Sequence, residues 1–394
     1  MNTKFLLSSD NNNRNELLKK KIIHYYIANG DATIADLGRE MDLSIPTVTK
    51  LVAELQDDGY ILDFGKQETN GGRKPNIYGL NPASGYFVGV DMLKDKLNIA
   101  AIDFKGDKVQ LEENIPYQLE NTPASLEQFC KIIDDFIVSL PVERNKILAI
   151  GVNITGRVNP ASGYSYSIFY FEEKPLAQIL EERLQTKVFI ENDSRAMTYG
   201  EYMKGVVQGE KNILFVNMAW GLGLGIIIDG NILTGANGAA GEIGHIVVNE
   251  QEIEACNCGH YGCIEQYASA TGIVRMAKRA LAGTSEDSKL RTFGEAVSAK
   301  DVFDCARAGD KVACDVVDQV CGMLGATLAK IGCVVNPDAF IIGGGVSRAG
   351  QILIDALQEP FKAQVFHACK DTPIVLATLG NDAGIYGAVR MLLS

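Results

Sequence analysis

The sequence predicts an α/β protein preceded by a small helical domain that closes with a β-hairpin. Three observations lead there. Residues 1–81 contain three short segments of helical periodicity, then two strand-like runs around a polar, glycine-containing loop. From Pro82 onward, apolar strand-like runs interleave with helical stretches, the pattern of largely buried sheets covered by helices. Charge divides at the same place: residues 1–80 hold 10 Lys/Arg against 11 Asp/Glu, and the remainder holds 27 against 38.

In order along the chain, Asn15 to Ala28 (NELLKKKIIHYYIA) places Leu18, Ile22 and Tyr25 or Tyr26 at helical spacing and is closed by Gly30. Thr33 is placed to cap a second short helix, IADLGREM. Ser44 is placed to cap a third, IPTVTKLVAELQDD, with Pro46 in its first turn and Gly59 just beyond its end. Val48, Leu51, Val52 and Leu55 fall at i, i+3, i+4 and i+7 and form one apolar face, with Thr47, Thr49, Lys50 and Glu54 opposite. YILDF and NIYGL then flank GKQETNGGRKP, a hairpin with a glycine-rich tip. Three helices and a hairpin make a winged helix-turn-helix. A recognition helix reads base edges with its first turn, so Thr47 and Thr49 are the expected base readers, beside Pro46, with Lys50 on phosphate. Arg73 and Lys74 at the hairpin tip are expected to enter a neighbouring minor groove. A winged helix that binds another protein is the competing reading.

Beyond Pro82, YFVGVDM, LNIAAIDF, KILAIGVNI and KVFIEN read as strands, and Thr122-Pro123 opens a helix with Leu126, Phe129, Ile133 and Phe136 in phase. After Asn192 come a helix, two strands around a glycine loop, a cysteine cluster, and a helical region from about 299 to 334. AFIIGGGVS and a closing helix, AGIYGAVRMLL, complete the chain. The pair YFVGVDMLKDKLNIAAIDF reads as a hairpin and breaks a purely parallel winding. With 394 residues, 46% hydrophobic and 22% charged, the chain fits a soluble protein of two or three domains. No apolar run approaches the roughly 20 residues of a membrane span, and the N-terminus lacks the apolar core of a signal peptide. A cytoplasmic protein without a membrane partner is therefore expected, its nine cysteines kept as thiols. The net charge of −12 argues against a protein whose whole surface meets nucleic acid.

Two motifs carry chemistry. In residues 241–266, GEIGHIVVNEQEIEACNCGHYGCIEQ, the residues His245, Cys256, Cys258 and Cys263 give H-x10-C-x-C-x4-C. Three thiolates and an imidazole suit tetrahedral zinc, and four protein ligands make such a site structural. His260 is an alternative fourth ligand, strained by lying two residues from Cys258. The second motif, AWGLGLGIII at residues 219–228, has glycine at every second position from Gly221 to Gly225, as a backbone cradle for phosphate would.

The cysteine segment resembles the zinc signature of the ROK family (repressors, open reading frames and sugar kinases): Gly-His, then Cys-x-Cys-Gly-x-x-Gly-Cys-x-Glu. ENDSRAMTYGE, GLGLGIIIDGNILTGANGAAGEIGH, IIGGGVS and NDAGIYGA extend the resemblance in order over residues 84–394, and the winged helix is similar to that of the family's repressor branch. That branch includes regulators of xylose, N-acetylglucosamine and glucose metabolism. The resemblance implies an actin/hexokinase-type fold of two α/β lobes closing over a cleft. The implied domains are 1–81 for DNA, 82–190 with the closing helix 382–394 for the smaller lobe, and 191–381 for the larger lobe with zinc. It implies a sugar or sugar-phosphate effector held by Asn192, Asp193, Glu242, His245 and Glu265, with Asp193 in the position of the kinase general base. Carboxylates accept from sugar hydroxyls and an amide both donates and accepts, so the residue types fit a hydroxyl-rich ligand.

Three departures matter. Family kinases read Gly-Thr-Gly-x-Gly-x-Gly at the glycine loop, where this chain has Ala219 and Trp220 before Gly221. Their other phosphate loop, Asp-x-Gly-Gly-Thr, should follow Asp91, where this chain reads DMLKDK. Residues 164–176, YSYSIFYFEEKPL, are aromatic where family kinases carry an Asn and a Trp near the sugar. The expected function is a sugar-responsive transcriptional regulator, a repressor of carbohydrate metabolism, acting on operator DNA as a homodimer or homotetramer. It is not expected to be an enzyme. The alternatives are an ATP-dependent sugar kinase with a DNA-binding domain, and a zinc-stabilised scaffold.

Overall fold

Side-chain caps start each of the three N-terminal helices. A computed structural model describes residues 13–66 and 75–391. Helix α1 (Arg14–Asn29) follows Asn13, whose side chain accepts from the Asn15 amide at 3.0 Å. Helix α2 (Ile34–Glu40) follows Thr33, which forms a reciprocal capping box with Asp36. Helix α3 (Ile45–Asp57) follows Ser44, whose hydroxyl accepts from the Thr47 amide at 3.4 Å. Val48, Leu51, Val52 and Leu55 are buried as their spacing requires, and Tyr26 rather than Tyr25 is the fully buried tyrosine of α1. Strand β1 (Ala32–Thr33) pairs with β3 (Asn76–Leu80), which pairs on its other side with β2 (Ile61–Lys66), giving an antiparallel three-stranded wing sheet.

This small domain does not close a core of its own. Its apolar cluster runs on into Phe87, Ala100, Ile102 and Phe104, and into Ile385 and Val389 of the closing helix (Asp382–Met391). The Tyr60 and Phe104 rings lie 5.4 Å apart, Ser84 Oγ donates to the Gly59 carbonyl at 2.8 Å, and Lys105 pairs with Asp31 at 3.4 Å. The winged helix and the sheet beside it accordingly fall in one compact unit, residues 1–193 with 384–394; residues 194–383 form the other.

In the first unit, β4 (Tyr86–Met92) and β5 (Lys96–Asp103) form the expected hairpin, extended by β6 (Lys108–Pro116). On the other side of β4 lie β7 (Ile147–Ile154) and β10 (Val188–Asn192), both parallel to it, with the short ribbon β8 (Val158–Asn159) and β9 (Tyr164–Ser165) between them in sequence. Helices α4 (Pro123–Ser139) and α5 (Leu176–Leu184) cover one face. On the other, the closing helix meets bare backbone. Gly89 and Gly151 are paired across β4 and β7, and a Cβ on them would come within 2.9 Å of the Ile385 carbonyl and 2.3 Å of the Ala388 carbonyl.

Helix α6 (Asp193–Lys204) leads, from Ser194 onward, into the second unit, whose sheet repeats the same plan. Strand β11 (Ile213–Met218) is antiparallel to β12 (Leu222–Ile228), which is antiparallel to β13 (Asn231–Ile232). Strands β14 (Ala339–Gly343) and β15 (Ile374–Leu376) continue in parallel from the other side of β11. Both five-stranded sheets thus have the spatial order third, second, first, fourth, fifth, a repeat that the sequence does not announce. Helices α7 (Glu265–Ala268), α8 (Ala270–Gly283), α9 (Ala299–Arg307), α10 (Lys311–Val335) and α11 (Gln351–Gln364) complete the unit. The helical region expected at 299–334 is two helices, broken at Gly309 with φ +83° and restarted by the Asp310 cap. Helix α10 is long and apolar enough to cross a membrane, although the sequence reading saw no such run. Val316, Val320, Leu324 and Leu328 bury it in the core of the second unit.

Candidate functional site

A tight loop in the second unit gathers a candidate set of metal donors. One side-chain donor atom each from His245, Cys256, Cys258 and Cys263 lies within 4.8 Å of the others. His245 Nδ1 is 3.8 Å from Cys256 Sγ, and Cys258 Sγ is 3.6 Å from Cys263 Sγ. Zinc–sulfur bonds of about 2.3 Å in a tetrahedron separate sulfurs by about 3.8 Å, so the donor set fits a tetrahedral ion. His260 Nδ1 lies 3.6 Å from Cys258 Sγ but is outside the four-residue group. Gly262, at φ +74°, could not carry a side chain because its Cβ would fall 1.8 Å from the Asn249 carbonyl. The loop is then tied down by a charge network that motif reading missed. Glu252, with its side chain 2% exposed, accepts from Arg279 at 2.8 Å and 2.9 Å and from Arg275 at 3.1 Å, and the Tyr267 hydroxyl donates to it at 2.7 Å. Hydrogen bonds from Arg279 hold its carboxyl far below the usual carboxylate range.

The expected sugar-binding residues divide between the units. In the first, Asn192 ends β10 and Asp193 begins α6; Asn192 Nδ2 donates to Asp193 Oδ1 and to the Gly156 carbonyl, each at 3.0 Å. In the second, Glu242 Oε2 lies 3.8 Å from His245 Nε2, while the Nδ1 edge of the same ring faces Cys256. His245 can therefore serve the metal with one nitrogen and carry a proton toward Glu242 with the other. Glu265 Oε2 accepts from the Leu222 amide at 3.0 Å, which fixes its carboxylate beside the glycine run.

That run is shaped by packing. Gly221, Gly223 and Gly225 all lie outside the left-handed region, so none is there for a left-handed turn. A Cβ on Gly221 would meet Glu265 Oε2 at 2.8 Å, one on Gly223 would meet Ser194 Oγ at 2.3 Å, and one on Gly225 would meet Thr198 Oγ1 at 1.6 Å. The three glycines let helix α6 and the Glu265 carboxylate lie directly on β12. Trp220 stands 58% exposed, and its carbonyl accepts from Thr271 Oγ1 at 3.0 Å. In the DMLKDK turn, Lys96 Nζ donates to Asn114 Oδ1 at 2.6 Å. Asp91 just before it is buried, and desolvation, then the nearby Asp193 charge, raise its pKa to about 7.

In the winged helix, Ile45, Pro46, Thr47, Thr49 and Lys50 are all exposed. Thr47 Oγ1 lies 2.8 Å from Ser44 Oγ, Thr49 Oγ1 donates to the Ile45 carbonyl at 2.8 Å, and Lys50 Nζ lies 3.9 Å from Glu54. Ile45, half exposed at the first position of α3, is a candidate base contact that polar-residue reasoning passed over. Arg73 and Lys74 lie outside the described residues.

Comparison with known proteins resolves the family. Residues 87–394 match the ROK family and residues 16–61 match a winged helix-turn-helix DNA-binding family. The chain belongs to the ROK family. It is 34% identical to a glucokinase of Halalkalibacterium halodurans, over 77% of this chain and 93% of that protein. It is 27% identical to the xylose repressor of Caldicellulosiruptor bescii, over 91% of this chain and 90% of the repressor. The crystal structure of a ROK family transcriptional regulator, a homologue of the Escherichia coli Mlc protein, superposes with a TM-score of 0.82 at 26% identity, covering 96% of each chain. The ROK domain here is thus similar to kinases along its own length, and the winged helix in front of it extends the likeness to regulators along nearly the whole chain.

Proposed function

We propose that this ROK protein is a cytoplasmic, sugar-responsive transcriptional regulator that represses genes of carbohydrate use. One observation carries the reading: a recognition helix whose exposed first turn carries Thr47 shares a continuous hydrophobic core with the sheet whose strand β10 ends at Asn192, next to Asp193. A sugar held by Asn192, Asp193, Glu242, His245 and Glu265 would then act on the same body that carries the DNA-reading helix. Thr47 and Thr49 read bases beside Pro46, Lys50 meets phosphate, and Arg73 and Lys74 reach the minor groove. A nearly neutral DNA-binding domain makes few phosphate contacts, so tight binding needs a homodimer or homotetramer on a pseudo-palindromic operator. The likeness to a xylose repressor and to a ROK regulator supports this reading.

The resident metal is zinc, bound by His245, Cys256, Cys258 and Cys263. Its role is to cross-link the loop between Glu242 and Glu265; four protein ligands leave no open coordination position. The chain does not transfer phosphoryl groups. That chemistry rests on positioning and neutralising phosphate charge, and both loops that do so in family kinases have changed here. Likeness to a glucokinase and the retained Asp193 favour a kinase as the second reading.

Mobility-shift titration of DNA from the protein's own promoter region, with a panel of sugars and sugar phosphates, tests the proposal. The expected result is specific binding that one sugar changes by roughly 5- to 150-fold, the usual range of such coupling. Asp193→Ala should still bind operator and ignore the sugar. Sugar phosphorylation from ATP at roughly 1 s⁻¹ or faster would establish the kinase instead.

A further inference from the structure

The aromatic segment that departs from the family pattern is a built surface. Strand β9 and the residue after it carry Tyr164 and Tyr166, with the buried Ser165 between them. Their rings stack nearly parallel, 6.4 Å apart with 17° between planes. The Tyr164 hydroxyl donates to the Glu173 carbonyl at 2.9 Å and pins the loop at its far end. Phe169 is buried at φ +55°, packed 6.3 Å from Phe129, and this anchor leaves the adjoining Tyr170 58% exposed. Tyr166 itself is 47% exposed.

The shelf is tied by hydrogen bonds to the expected sugar residues of the same unit. The Tyr166 amide donates to the Arg157 carbonyl at 2.9 Å, Ser167 Oγ accepts from the Arg157 amide at 3.0 Å, and the Gly156 carbonyl accepts from Asn192 Nδ2 at 3.0 Å. Gly156, at φ +85°, keeps the path short, since a Cβ there would lie 2.5 Å from Ser167 Oγ. From Tyr166 to Asn192 is therefore two hydrogen bonds and one peptide step.

Tyrosine rings offer an apolar face and a polar rim, which is what the C–H face and hydroxyl edge of a pyranose require, and here Tyr166 is exposed and Tyr164 partly so. We propose that the effector is an oligosaccharide of at least two linked rings, with one ring at Asn192 and Asp193 and the next stacked on Tyr164 and Tyr166. This rests on the proposal that Asn192 and Asp193 hold sugar. A lone monosaccharide would leave the shelf uncovered.

Titration calorimetry on the full chain, using a panel of pentoses and hexoses and the disaccharides made from each, tests this. At least one disaccharide should bind tenfold or more tightly than its monosaccharide unit. Tyr166→Ala should erase that margin with monosaccharide affinity and melting temperature unchanged, and Tyr166→Phe should keep it. Asp193→Ala should lose both classes. A monosaccharide that binds as tightly as every disaccharide overturns the proposal, as does a Tyr166→Ala variant that weakens both classes equally. If Tyr166→Ala behaves as expected but Asp193→Ala binds normally, the shelf stands and the assignment of Asp193 falls. Absence of any sugar binding by the wild-type protein overturns both.

Discussion

Asp91 shows how a single residue can keep a family position and lose its surroundings. It ends up buried, with Asn98, Asn153 and Lys96 favouring its charged form and Asp193 opposing it, and a Cβ on Gly384 would approach it to 2.9 Å. Its carboxyl, near 3.8 in the unfolded chain and about 7 when folded, binds a proton in the native state between those values. The native state then holds more protons than the unfolded one, so this residue's contribution to stability falls as pH rises from about 4 to about 7 and is flat above. Asp91→Asn should therefore stabilise the protein at pH 8 by up to about 4 kcal/mol and change little at pH 4.5. Melting curves of both proteins across that range measure it; an equal gain at both ends would show that Asp91 is charged throughout.

The metal loop and the glycine strand are predicted at the level of elements. Cys258→Ser removes one of four proposed ligands from a loop that the Glu252 network already anchors. It should lose about one metal ion per chain by elemental analysis, with the loss of sugar response accompanying it. A variant that is metal-free and fully responsive would remove the metal from the mechanism. Gly225→Ala drives a methyl into Thr198 Oγ1 at the face where α6 meets β12. Overpacking of this kind costs about 1–3 kcal/mol. Adding Thr198→Ala should recover part of that loss, which denaturant titration of the single and double variants would detect as coupling. Strict additivity would mean that the glycines serve something other than close packing.

At the scale of the whole molecule, the first unit joins the winged helix to the sheet that ends at Asn192 without a linker between them. Tyr60, Phe87 and Phe104 are aromatic neighbours across that junction, and Ile385 and Val389 of the closing helix fill the same cluster. The winged helix should accordingly not melt ahead of the sheet. Hydrogen exchange should give α3 and β4 similar protection, and Phe104→Ala should lower both together by about 3–5 kcal/mol. Early exchange confined to residues 13–66 would mean an autonomous domain.

Much of this was legible in local sequence. Caps at Thr33 and Ser44, the stripe Val48/Leu51/Val52/Leu55 and the hairpin from Tyr86 to Asp103 all rest on interactions within a few residues, or on a periodicity that burial enforces directly. The cysteine spacing also sufficed to gather a four-residue donor set, because ligands so close in sequence have few ways to surround an ion. What the sequence could not decide was the use of residues whose partners lie far along the chain. Gly221, Gly223 and Gly225 look like a phosphate cradle until Ser194, Thr198 and Glu265 are found against them. Glu252 looks like one more surface acid until Arg275 and Arg279 arrive from α8. The helical domain at the N-terminus looks self-contained until its core is seen to run into the next sheet. Periodicity reports which face of an element is buried; what it is buried against is decided by contacts between distant segments, and only the folded chain contains those.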